Sequence, residues 1–176
     1  GLNGWGYSDI LPYFKKSEGS EHRNDKYHGK KGPLKIERSS NYGILEEAFI
    51  KSAVKAGHKS IDDFNGSERT GVSRLDSTVS NGVRQSSAIS YLKKKPDNLT
   101  ILTHQQISKL LINKTDVIGL ETLKGTKVYC KREVIICQGA FGTPHLLMLS
   151  GIGPADHLIE NDINPIVDLQ GVGSSL

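Results

Sequence analysis

No Gly-x-Gly-x-x-Gly occurs anywhere in the 176 residues, so the glycine turn that cradles a dinucleotide pyrophosphate between a strand and a helix is missing. No P-loop and no Gly-x-Ser-x-Gly elbow is present, which removes the sequence grounds for a nucleotide-triphosphatase or a serine hydrolase. Cysteine is scarce: Cys130 and Cys137 have no histidine or cysteine at ligand spacing beside them and form no metal motif. They read as small apolar residues on strands. No apolar run approaches the length of a membrane-crossing helix. The net charge of +4 comes from short lysine clusters such as Lys15-Lys16, Lys30-Lys31 and Lys93-Lys94-Lys95, scattered and mixed with acids. A nucleic-acid surface concentrates its basic residues on one face, so these clusters read as solvated surface and no nucleic-acid partner is expected.

With 36% hydrophobic and 24% charged residues, the composition is that of a globular chain able to bury one core. The chain opens Gly1-Leu2-Asn3-Gly4-Trp5 without an initiating Met, which suggests an internal piece or a processed chain. Sequons at Asn65, Asn98 and Asn113 lean toward a secreted protein but fix no compartment.

Ser8 to Lys16 predicts a short helix capped by Ser8 or Asp9, with Pro12 confined to its first turn. Turn residues around Tyr27-His28-Gly29 and Gly32-Pro33 lead into a strand at Leu34 to Glu37. Ile44 to Ala56 is a helix, with Leu45, Ala48, Phe49, Ser52 and Ala56 on one face, a Glu47–Lys51 pair and Gly57 as its stop. Asp62 to Gly71 is a loop, Val72 to Val79 a weak strand, and Ser86 to Lys95 a helix closed by Pro96. From Leu99 the pattern turns to β: Leu99–Thr103, Ile107–Ile112, Val117–Thr122, Lys127–Cys130 and Glu133–Cys137 form a meander of short strands. This order predicts a mixed α/β (α+β) fold rather than a repeating βαβ one.

The most informative stretch is Gly139 to Pro154. It follows the apolar run Val134-Ile135-Ile136-Cys137 and reads as strand, glycine turn, short helix and stop. Thr143 is expected as N-cap with Pro144 at the first helical position, Gly151 as the stop and Pro154 as a bar to any restart. A helix N-terminus after a glycine turn can receive an anion; an ordinary strand-to-helix connection has the same pattern.

That stretch resembles a signature segment of the GMC (glucose-methanol-choline) oxidoreductases. Further matches follow in the family's order: Gly4-Trp5-Gly6-Tyr7 with Asp9 to Glu18, Tyr27-His28-Gly29 with Gly32-Pro33-Leu34, Asp63-Phe64-Asn65-Gly66, Gly82 to Ala88 with Tyr91-Leu92, Asn98-Leu99-Thr100-Ile101, and Gly171-Val172-Gly173. Ser174-Ser175 depart from the family's usual close. The resemblance spans residues 4 to 173 and implies part of an FAD-binding flavoprotein fold of glutathione-reductase type, joined to part of an antiparallel-sheet substrate domain. On this reading 1–38 and 82–176 belong to the FAD side and 39–81 to the substrate side.

The resemblance further implies FAD as cofactor, a small-molecule alcohol or sugar as substrate, and oxidation of a CH–OH group. Neither the substrate nor the electron acceptor, oxygen or quinone, is specified. Ile107 matches the position that touches the adenine end of FAD through its main chain, and Gly139 and Ala140 are the further cofactor-lining candidates. The family's catalytic histidine falls in a carboxy-terminal segment outside these residues, so no catalytic residue is assigned. His22, His28, His58, His104, His145 and His157 read as structural or exposed. The competing reading is a truncated, non-catalytic paralogue serving as a binding or structural module.

Overall fold

The computed structural model describes residues 2–23, 26–38 and 43–174. It divides into two compact units, Gly1–Leu99 and Thr100–Leu176.

The first unit opens with helix α1, Tyr7–Ser17. Its N-cap is Gly6 rather than Ser8 or Asp9; Asp9 sits in the first turn and its carboxylate accepts the Gly6 N–H at 3.0 Å. The acid thereby satisfies a free amide and complements the helix dipole, which explains why it lies inside the helix. Pro12 also lies inside α1, not in its first turn. The ring removes one bond, to the Ser8 carbonyl, and the helix continues to Ser17.

Past α1, strand β1 (Glu18–Gly19) pairs in parallel with β2 (Leu34–Lys35). The return between them presses on the end of the helix. A Cβ on Gly29 would stand 1.8 Å from the Lys15 carbonyl oxygen, and one on Gly32 2.3 Å from that of Ser17. Only glycine permits that approach. The strand expected over Leu34–Glu37 is split: β3 (Glu37–Arg38) leaves β2 to pair antiparallel with β4 (Asp76–Ser77).

Helix α2 spans Ile44–Lys55, with the expected Glu47–Lys51 ion pair at 3.8 Å. The apolar face read from its sequence is uncovered among the described residues, for Leu45 is 82% and Phe49 70% exposed. The weak strand at Val72–Val79 resolves into a lone bridge from Ser60 to Val72, then β4, then β5 (Val79–Ser80), which turns at Asn81-Gly82 into β6 (Val83–Arg84). Helix α3, Ser87–Leu92, is capped by Ser86, whose Oγ accepts the Ile89 N–H at 3.2 Å.

The second unit is built on a three-stranded antiparallel meander: β7 (Ile107–Asn113), β8 (Asp116–Thr122) and β9 (Lys127–Tyr129), with β8 central. Leu99–Thr103 and Glu133–Cys137 are not strands. No strand pairs with either among the described residues, and an apolar run without a partner has no ladder to join. Ile135 is 76% exposed as a result.

Helix α4 begins at Gly139, several residues before the expected Thr143 cap, and ends at Leu149 with Gly151 as the stop. Pro144 lies in its interior, where it removes the bond to the Ala140 carbonyl instead of sitting harmlessly at the first position. Pro154 does not bar a restart: it is the N-cap of α5 (Ala155–Glu160). Strand β10 (Ile152–Gly153), α5 and β11 (Val167–Asp168) form a small βαβ unit with parallel strands. Leu110 on β7, Leu146 on α4 and Leu158 on α5 are the buried aliphatic residues of this unit among those described.

Candidate functional site

Ile107 stands at the start of β7, opposite Thr122. The Leu123 N–H donates to the Gln106 carbonyl at 2.9 Å, one residue outside that pair on each strand. This is the pattern of a non-hydrogen-bonded pair, so the N–H and C=O of Ile107 face away from β8. Strand β7 is an edge of the sheet, and Ile107 presents its main chain to that edge. A bulge follows at Ser108, whose hydroxyl donates to the Glu121 carbonyl at 2.9 Å.

Gly139 and Ala140 form the exposed first turn of α4. Gly139 has φ +77° with nothing within 4 Å of where a Cβ would be, so backbone conformation rather than crowding calls for glycine. The Gln138 side chain does not cap the helix, and its first amides are without intrahelical partners. Helix α4 packs against β7. At their junction the Ser150 hydroxyl accepts the Leu110 N–H at 2.9 Å and donates to the Leu146 carbonyl at 2.6 Å. The three expected residues thus lie on two elements packed together. An outward main chain at Ile107 and open, uncapped amides at Gly139 and Ala140 fit the edge of a flavin dinucleotide, while the sequence holds no glycine cradle for its pyrophosphate.

The first unit holds a denser constellation that sequence reasoning missed. His28, 5% exposed, has Nδ1 2.7 Å from Glu18 Oε1 and Nε2 2.8 Å from Asp63 Oδ2. Glu18 also accepts the Gly29 N–H at 3.0 Å, and Asp63 accepts the Asn65 N–H at 2.8 Å. With both ring nitrogens engaged, His28 offers no free lone pair to a substrate. Burial acts to lower its pKa, but the hydrogen bonds to Glu18 and Asp63 outweigh it and hold the ring above the ordinary 6.5.

Beside it, the buried Arg23 reaches Asp76 Oδ2 at 2.5 Å and Asp62 Oδ2 at 2.8 Å. Arg38 joins the same two carboxylates at 3.3 and 2.7 Å and also donates to the Asp62 carbonyl, while His22 lies 3.2 Å from Asp76. Burial raises the Asp76 pKa, yet its bond to Arg23 brings it below the usual carboxylate range; Arg38 does the same for Asp62. A groove of about 710 Å³ runs past His28, lined by Tyr7, Phe14, Tyr27, Leu34, Asn65 and Arg69. The signal for this constellation was present only as two separate motifs, Tyr27-His28-Gly29 and Asp63-Phe64-Asn65-Gly66, 35 residues apart between His28 and Asp63.

Comparison with known proteins places the whole chain. The family model for GMC oxidoreductases matches residues 1–176. An oxygen-dependent choline dehydrogenase of Acinetobacter baumannii is 39% identical over 187 residues, covering 100% of this chain and 34% of the relative. Pyridoxine 4-oxidase from Mesorbium loti superposes with a TM-score of 0.88 at 31% identity, over 96% of this chain and 34% of that one. An FAD-dependent oxidoreductase from Chaetomium thermophilum gives 0.89 at 27% identity, over 97% and 33%. The chain therefore spans about a third of the length of these relatives. No helix among the described residues is long and apolar enough to cross a membrane. Motif order, mixed α/β architecture and full-length match agree: the chain belongs to the GMC oxidoreductase family.

Proposed function

We propose that this chain is part of an FAD-dependent oxidoreductase that oxidises the CH–OH group of a small alcohol or sugar. The match to GMC oxidoreductases across residues 1–176 carries this reading. Bound FAD would supply the hydride acceptor. The chain's own contribution is to line the cofactor: Ile107 through the main-chain groups that face off the β7 edge, Gly139 and Ala140 through the open first turn of α4. Residues 1–38 and 82–176 serve the FAD side and 39–81 the substrate side. Relatives named for choline and pyridoxine support a small polar substrate.

Exposed apolar side chains on α2 and α4, including Phe49 at 70% and Phe141 at 78%, accord with further protein covering these faces in the complete enzyme. Purified alone, the 176-residue chain should carry no stoichiometric flavin, since the pyrophosphate cradle is absent; a stoichiometric flavin absorbance would overturn that account. In the full enzyme, Ile107→Val keeps the main chain and should leave FAD dissociation unchanged. Ile107→Pro removes the N–H and should release FAD more readily; equal retention in both variants would exclude the Ile107 N–H from the cofactor site.

A further inference from the structure

His28 stands where β1, the return to β2 and the loop before β4 meet, with 6% of its side chain exposed. A carboxylate oxygen without a proton only accepts hydrogen bonds. For Glu18 at 2.7 Å and Asp63 at 2.8 Å both to be bonded, both ring nitrogens must donate, and the ring must be an imidazolium. A neutral ring would turn a lone pair on one of the two carboxylates in a site with little water to relieve it.

The segment held by this contact has a fixed base. Val72 donates to the Lys59 carbonyl at 2.8 Å and Ile61 to the Val72 carbonyl at 3.0 Å, closing the loop at its stem. Asp62 is pinned by Arg23 and Arg38, guanidinium groups that stay charged throughout the accessible pH range. From Asp63 onward the polar anchors among the described residues are His28 and an exposed Lys59–Glu68 pair at 2.6 Å, the latter screened by solvent, while Phe64 lines an apolar hollow with Leu45 and Phe49 of α2. Asn65 and Arg69 of this segment line the groove beside His28.

We propose that His28 is a titratable clamp: doubly protonated, it holds the Asp63–Arg69 segment against β1, and on losing a proton as pH rises it frees that segment and opens the groove, while Asp62 stays pinned. The groups facing the ring agree with this. Glu18 and Asp63 face it directly and favour its charge; Tyr27 adjoins it, and Tyr7 and Arg69 line the same groove. Asp62 is neutralised by its two arginines. The His28 pKa is raised, so the clamp's contribution is complete below 6.5 and is lost as pH rises through the folded value. This inference does not depend on the FAD reading.

Amide exchange in the full enzyme across pH 6 to 10, corrected for intrinsic rates, tests it. Protection over 63–69 should fall about tenfold per pH unit once His28 titrates, with no such step in β3 and β4. Nitrogen-15 spectra of the histidine rings should show His28 with two ring protons at pH 6. His28→Gln should give the low-protection state of 63–69 at every pH, and Glu18→Gln should move the step to lower pH. Flat protection in the native enzyme, or one ring proton at pH 6, overturns the clamp. If the variants do not fold, the native pH series decides alone.

Discussion

The two units are held together by different physics. In Thr100–Leu176, three leucines from β7, α4 and α5 are buried and one serine hydroxyl joins helix to strand. In Gly1–Leu99, Ile61 is the buried aliphatic residue among those described, at 9% exposure, and it shares the interior with Arg23, His28 and Ser20. A leucine cluster tolerates changes of shape at moderate cost, because dispersion and burial are shared among many contacts. An ion network behaves otherwise: each member is tolerable only while its partners remain, and one deletion strands a charge. The first unit should therefore be brittle toward single substitutions, and the second graded.

The largest break should come from backbone crowding in the first unit. Gly29→Ala places a methyl where the Lys15 carbonyl oxygen is 1.8 Å away, and rigid backbone on both sides leaves no flexible side chain to move. A loss of more than about 4 kcal/mol is expected, enough to abolish folding of this unit. Soluble yield and a thermal melt measure it. A melt like that of the native protein would mean that the return between β1 and β2 is loose, and the contrast between the units would lose its main support.

Arg23→Met comes next. It keeps the volume but removes the guanidinium from Asp76, whose side chain is 10% exposed. Stranding a buried carboxylate typically costs about 3–5 kcal/mol. Arg38 and His22 still reach Asp76, so the lower end is expected. The same substitution should change the acid response. The Asp76 and Asp62 pKa values are depressed, so their stabilisation is present above the ordinary carboxylate range and is lost as pH falls through the depressed values. Denaturant midpoints between pH 3 and 6 should therefore slope upward with pH in the native protein and less steeply in Arg23→Met. Parallel slopes would show that these pairs contribute nothing through charge.

In the second unit, Leu146→Ala removes a side chain at 4% exposure between α4 and β7. A cost of about 3 kcal/mol is expected, within the range for a buried leucine that leaves a partly relaxed cavity. Its signature is the absence of pH dependence: the loss should be the same at pH 5 and pH 8. Amide exchange localised to β7 and α4 would separate it from effects in the first unit.

What could be read in the sequence follows the same division. Local patterns were legible: α2 from its apolar spacing and Gly57, the β7–β9 meander from short apolar runs split by turns, and Gly151 as a stop. The family motifs were legible too, because their order survives without any knowledge of contacts. The extended run at Val134–Cys137 misled because its composition describes a strand with neighbours on both sides, and none pairs with it among the described residues. Thr143-Pro144 has the chemistry of a helix start, yet the helix was already under way from Gly139. The Glu18–His28–Asp63 bridge was illegible for another reason: its three members are separated along the chain and each has an ordinary local role. Neither periodicity nor spacing joins them; only the fold does, by bringing the return between β1 and β2 against the loop before β4.

The smallest expected effect tests the polar joint between α4 and β7. Ser150 Oγ accepts the buried Leu110 N–H and passes its own proton to the Leu146 carbonyl. Ser150→Ala leaves that amide without its partner, at about 1–2 kcal/mol. The leucines around it remain, so the unit should stay folded and the loss should appear as faster exchange at Leu110. Ser150→Thr retains the hydroxyl and should recover much of the protection. A loss as large as that of Arg23→Met would mean that the hydroxyl, not the leucines, holds α4 on β7. The second unit would then be as brittle as the first, and the distinction drawn between them would fail at the joint where it is most exposed to test.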